Sequence, residues 1–186
     1  MTIRKAQKAD SQQAAVLIYD AIHDIGEALT GETDHDKVLQ QLAAFFQTEG
    51  NRLSFENSYV KVEDGEVVGM IIMYHGKDAE KLDETIIEHL RAKSGDVGAE
   101  TEKEADLDDF YIDTLSVAQD HGGRGIGTAL IERALSEAKE RGYPTVSLNV
   151  EEENTGAKRL YSRLGFRVKK TIMINGKNYH YLVREI

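Results

Sequence analysis

Four glycines crowd one short stretch, His121-Gly122-Gly123-Arg124-Gly125-Ile126-Gly127-Thr128, between a strand-like run and a run with helical spacing. Without Cβ atoms, such a loop lets a ligand approach the backbone. A helix that starts there turns unpaired N–H groups and its positive dipole end outward, worth up to about 2 kcal/mol toward an anion in favourable geometry. The chemistry is that of a phosphate or pyrophosphate site, the bland alternative being a glycine-rich turn with no ligand. A Walker loop would place Lys after Gly127, where the chain has Thr128, and the dinucleotide fingerprint spaces its glycines differently. A second group follows some thirty residues on, where Asn154, Ala157 and Tyr161 fall one helical turn apart and share a face. On the preceding strand Tyr111 and Asp113 alternate with Ile112, so both point to one face of a sheet. Metal chemistry finds no support: His23 and Glu27 are i, i+4 and His35 precedes Asp36, but neither pair has a third ligand nearby.

These residues need elements to hold them. Ile3 marks a short strand, and Asp10-Ser11 offers N-cap chemistry before a helix with Ala14, Val16, Leu17, Ala21 and Ile22. A second helix is expected from about Asp36, with Gly50 as its stop. Ser58–Val62 and Glu66–Tyr74 read as an antiparallel hairpin turning at Glu63-Asp64-Gly65. Residues 75–109 then interrupt the pattern with one helix, striped by Leu82, Ile86, Ile87 and Leu90, and a polar stretch. The rhythm resumes with the strand Phe110–Val117, the glycine loop, a helix to about Arg141, the strand Thr145–Val150, the helix Asn154–Leu164, and a hairpin of Arg167–Ile174 and Lys177–Val183 joined at Asn175-Gly176. Helices mixed with hairpin and crossover strands predict an α/β fold with a mixed sheet.

The length of 186 residues suits one domain, 1–186, with 75–109 as an acidic insertion. Twelve Asp or Glu face five Lys or Arg in that insertion, and the whole chain carries a formal charge of −10. Such a balance repels phosphate backbones and anionic lipid, so nucleic acid and membrane are not expected partners. Either a solvated face or attraction for a cationic partner accounts for the insertion's charge. Cysteine is absent, which removes disulfides and any Cys nucleophile, and with no apolar leader or span the expected location is cytoplasmic.

The loop Gly122 to Gly127 and the helix Asn154-Thr-Gly-Ala157-Lys-Arg-Leu160-Tyr161-Ser-Arg-Leu-Gly165-Phe166 together resemble the GCN5-related N-acetyltransferases (GNAT), over about Val67 to Val183. Gly122 departs from that pattern, standing where the family usually has Gln or Arg. The resemblance implies a GNAT-like, mostly antiparallel sheet with a central V-shaped splay flanked by helices, and acetyl-CoA as acyl donor with its pantetheine arm in the splay. It implies pyrophosphate binding by Gly122, Gly123, Arg124, Gly125, Ile126, Gly127 and Thr128, main-chain contacts from Leu115 and Val117, and a contact from Asn154, which is alternatively the N-cap of its own helix. It further implies Tyr161 as general acid for the coenzyme A sulfur, unless that ring merely packs on Phe166. A phenol near pKa 10 is protonated at neutral pH and can donate to a thiolate.

Asp113 is the preferred general base, directly or through water, its alternative being a salt-bridged carboxylate; His180 on the last strand is a distant second. The expected reaction is acetyl transfer from acetyl-CoA to a primary amine by direct attack in a ternary complex, the acceptor being a small-molecule or protein amine. Rival readings are a non-catalytic acyl-CoA sensor and a protein that keeps only the fold. Family resemblance alone inclines toward a homodimer.

Overall fold

Strand β1 (Ile3–Lys5) is followed by three helices, α1 (Ser11–Ile22), α2 (Asp24–Thr30) and α3 (His35–Gln47). The computed structural model, which describes residues 2–186, continues with β2 (Ser58–Glu63), β3 (Glu66–His75), α4 (Ala79–Ser94), β4 (Phe110–Val117) and α5 (Ile126–Glu140). Then come β5 (Thr145–Glu151), α6 (Thr155–Arg163), β6 (Arg167–Ile174) and β7 (Lys177–Glu185). All seven strands form one sheet in the order β1-β2-β3-β4-β5-β7-β6. Every neighbouring pair is antiparallel except β4 and β5. Both long hairpins turn as the sequence predicts, with φ of 50° and 86° at Asp64-Gly65 and 48° and 77° at Asn175-Gly176. Left-handed geometry at both turn positions matches the twist of the flanking strands.

The parallel pair opens into a V. Its register covers only Phe110–Ile112 against Val146–Leu148, although β4 runs on to Val117 and β5 to Glu151. Separation starts at Asp113, the extra residue of a bulge, because Ile72 pairs with Thr114 and Met73 with Ile112. A bulge bends its strand and sharpens the local twist. Here it turns β4 away from β5 and leaves one edge of residues 113–117 without a strand partner.

Side-chain alternation along β3 feeds two cores. Met70 and Ile72 pack with Ile18, Leu42 and Phe46 of α1 and α3, while Ile71 and Met73 join Ile126, Leu130 and Ala134 of α5 on the other face. The insertion closes over the first face. Asp106 N–H donates to the Tyr181 hydroxyl (2.9 Å), which donates to Asp109 (2.6 Å), and Glu102 accepts from Asn175 N–H (2.6 Å).

Two local expectations are corrected. Asp10 does not cap α1; its carboxylate takes both guanidinium nitrogens of Arg4 at 2.8 Å and the Gln7 N–H at 2.8 Å, and Arg4 holds it below the usual carboxylate range. The second helix expected from Asp36 begins at His35 and is preceded by α2, which the sequence reading missed. That helix is seven residues long, too short for periodicity to announce it. His23 separates it from α1 with φ 41° and ψ −112°, a conformation unusual for any residue with a side chain. Among the described residues no helix is long and apolar enough to cross a membrane.

Candidate active site in the sheet splay

The V holds a cavity of about 630 Å³ lined by Leu115, Val117, Asn149, Asn154, Ala157 and Tyr161, and it extends to His23 and Tyr179. Of the residues expected to share a site, Asp113, Leu115, Val117, Asn154 and Tyr161 line it, while Gly122 to Thr128 lie outside its lining. Leu115 and Val117 come from the strandless edge of β4, and Asn154, Ala157 and Tyr161 from one face of α6. The α6 start is fixed by Asn154, whose Oδ1 accepts from Ala157 N–H at 3.1 Å. Its capping role is therefore realised, in a residue that also lines the cavity.

At the far end of the splay, Gly125 is the N-cap of α5 in left-handed conformation (φ 79°), and Gly123 has φ 74°. Only glycine adopts these angles cheaply. The first helical bond runs from Ala129 N–H to the Gly125 carbonyl (3.0 Å). The amides of Ile126, Gly127 and Thr128 are thus left without helical partners, and no side chain caps the helix. A Cβ placed on Gly123 or Gly125 would meet nothing within 4 Å, so there is open room in front of the loop. Gly122, by contrast, has ordinary extended angles and does not need to be glycine. Arg124 reaches sideways to Glu63 on the β2–β3 turn, at 3.0 Å. Unpaired amides, open space and a helix dipole are the features a pyrophosphate requires.

Tyr161 is 9% exposed and its ring meets Phe166 edge-on at 6.1 Å, so the packing role is present. Its hydroxyl nevertheless has no hydrogen-bond partner among the described residues, and burial pushes the phenol up to about 12. A protonated donor thus faces the cavity at any ordinary pH.

Asp113 sits in the salt-bridged setting that was its alternative reading. Its side chain is 1% exposed, and Oδ2 accepts from Arg52 Nε (2.9 Å), Arg52 Nη2 (2.6 Å) and Tyr74 (2.7 Å), while Oδ1 accepts from Thr114 (2.9 Å). Arg52 also holds Glu104 at 2.7 Å. One guanidinium therefore serves several buried carboxylates, and Glu104 is raised above its ordinary pKa by burial and by the nearby Asp113 charge. His180 lies outside the cavity lining, with Nε2 3.7 Å from Glu152.

Sequence reasoning missed Arg52, Glu104, Asn149 and Tyr179. Asn149 did carry a signal, being a lone amide within the buried strand Thr145–Val150. Arg52 carried none, because only the tertiary fold brings its loop to β4. Beside this network a second cavity of about 540 Å³ lies between α4 and residues 100–107, with Glu80, Asp83, Glu84, Glu88 and Glu104 among its lining.

Comparison with known proteins gives a consistent answer. The family model described as Acetyltransferase (GNAT) family matches residues 19–166. A solved structure described as an acetyltransferase superposes with a TM-score of 0.82 at 30% identity, covering 100% of both chains. An N-acetyltransferase from Staphylococcus aureus Mu50 superposes with the same TM-score at 25% identity, over 99% of this chain and 100% of that one. An uncharacterized N-acetyltransferase of Methanocaldococcus jannaschii is 44% identical over 68 residues, which are 37% of this chain and 28% of that relative. The chain spans well under half the length of the first curated relatives it matches. Enzymes of this family are acyltransferases that use acetyl-CoA. A splayed β4–β5 pair, a capless helix behind a glycine turn and the matched family model together place this chain in the GNAT acetyltransferase family.

Proposed function

We propose that this chain moves the acetyl group of acetyl-CoA to a primary amine by direct attack in a ternary complex. The observation that carries the reading is one continuous cavity lined by both the open edge of β4 and Tyr161, with the unpaired amides of α5 behind it. Acetyl-CoA supplies the acetyl group and a thiol leaving group. The amides of Gly123 to Thr128 hold its pyrophosphate, while the Gly122 amide is spent on the Gln119 carbonyl (3.4 Å) and Arg124 is ion-paired to Glu63 beside the loop. Leu115 and Val117 offer main-chain groups to the pantetheine arm and the acetyl carbonyl, and Asn154 borders the arm. Tyr161 gives its proton to the departing sulfur.

Asp113 keeps a structural part in this scheme. With four hydrogen bonds already on its carboxylate, it anchors the bulge that opens the splay, and the amine's proton leaves through water in the open cavity. No covalent enzyme intermediate is needed, and the chain has no Cys to form one. The acceptor enters between the α1–α2 junction, the insertion and the β6–β7 turn. Asp24 accepts there from Asn175 and Lys177, and Lys177 also lies 3.6 Å from Glu151, which accepts from the Tyr179 hydroxyl.

Thiol release from acetyl-CoA on addition of spermidine, an aminoglycoside or a short peptide with a free α-amine tests this directly. Release that depends on one amine supports the reading; binding of acetyl-CoA with no release against any of them would make the chain a sensor instead.

A further inference from the structure

We propose that Asn149 orients the acceptor amine through its side-chain carbonyl oxygen. This rests on the amine-acetylating reading above. Asn149 is the first residue of β5 beyond the last pair with β4, Ile112 with Leu148, and so stands at the fork of the V. Its Nδ2 donates to the Glu104 main-chain carbonyl at 3.0 Å and to the Tyr111 hydroxyl at 3.0 Å. A main-chain carbonyl only accepts, so the amide cannot be turned around. Oδ1 is then the free end of the amide, buried with no hydrogen-bond partner among the described residues. A buried acceptor left unpaired is expensive, and a site that retains one has a donor in prospect.

Two donors could come to the fork: an N–H of the pantetheine arm, or the acceptor amine. Side-chain alternation decides between them. Leu148 and Val150 turn toward the cluster that contains Tyr161 and α5. Asn149 and Glu151 turn the opposite way, toward Tyr181 and Tyr179 across β7, where the acidic insertion lies. The vacant oxygen is on the acceptor's side of the sheet.

The residue type matters as much as its place. A carboxylate at the fork would favour the charged ammonium, which has no lone pair for attack, whereas a neutral amide oxygen can accept an N–H from the neutral amine without that bias. Tyr111 and the Glu104 carbonyl act as positioning groups, since they fix which end of the amide faces the amine.

The test uses the full chain with spermidine and a short peptide bearing a free N-terminal alanine as probes. Asn149→Leu is expected to lower kcat/KM for the responsive amine about tenfold or more, the size expected for losing a buried hydrogen bond, with acetyl-CoA affinity by calorimetry within about twofold. Asn149→Asp, close in shape, is expected to shift the kcat–pH profile to higher pH, because the new charge holds the bound amine protonated. Unchanged kcat/KM in Asn149→Leu overturns the assignment, and so does a loss of acetyl-CoA affinity, which would mean the oxygen serves the thioester arm. Should Asn149→Leu fail to fold, an unshifted profile in Asn149→Asp overturns it alone. Wild-type protein that releases no thiol with either probe, before any variant is compared, speaks against the amine-acetylating reading itself.

Discussion

Arg52 and Asp113, 61 positions apart in the chain, meet in the interior with Nε and Nη2 at 2.9 and 2.6 Å from the same carboxylate oxygen. Asp113 is the bulge residue of β4, so this ion pair holds the point at which the sheet divides. Removing one partner of a buried pair leaves an uncompensated charge, which costs about 3–5 kcal/mol. Arg52→Met is therefore expected to lower the urea-unfolding free energy by about that amount. A loss below about 1 kcal/mol, the range of an exposed pair, would show that the pair is not buried in solution.

Gly69 offers a separate handle on the phosphate loop. A Cβ there would lie 2.8 Å from Ile126 Cγ2 and 3.3 Å from Leu130 Cδ1, pressing on the first turn of α5. Overpacking of this kind costs about 1–3 kcal/mol. Gly69→Ala should also weaken acetyl-CoA binding severalfold, because the Ile126 amide belongs to the loop. Calorimetry with unchanged affinity would separate the α5 start from cofactor binding.

Tyr161→Phe keeps the packing on Phe166 and deletes the proton donor. Turnover should fall while acetyl-CoA affinity stays nearly constant. Since burial raises the phenol to about 12, the wild-type hydroxyl remains protonated throughout the usual assay range, and any alkaline decline in rate below pH 10 must come from another group. Equal turnover in the variant across pH would remove Tyr161 from the acid role.

Much of this site could be read from the chain, for physical reasons that differ by residue. The glycine loop was visible because positive φ at Gly123 and Gly125 demands a particular residue type. Asn154, Ala157 and Tyr161 were visible because a helical period ties spacing to facing. The Asp113 environment was not, since its partners Arg52 and Tyr74 come from elements 61 and 39 positions away. Alternation did place Tyr111 and Asp113 on one face, and the structure agrees, but the bulge that isolates Asp113 has no local signature. The short α2 escaped for want of length, and the backbone angles of His23 that separate it from α1 are not encoded by any glycine.

Alkaline stability follows from the buried phenols. Tyr59, Tyr74, Tyr111, Tyr161, Tyr179 and Tyr181, six of the eight tyrosines, are all raised above the ordinary value, with burial as the leading cause. A folded-state value above the unfolded one gives stability that is complete below about pH 10 and is lost as pH rises past it. Thermal melts should therefore show Tm falling steeply above about pH 10, the unfolded-chain tyrosine value, together with tyrosinate absorbance appearing as the protein unfolds. Tyrosinate appearing well before unfolding would contradict the burial of these rings.

The most direct test of the central claim is a titration of the purified chain with acetyl-CoA, followed in the same sample by addition of amines with free thiol as the readout. Saturable binding and thiol release that depends on an amine are the predicted result. No binding of acetyl-CoA would contradict the account at its base, for the open amides of α5 and the cavity at Tyr161 would then have been assigned to the wrong ligand.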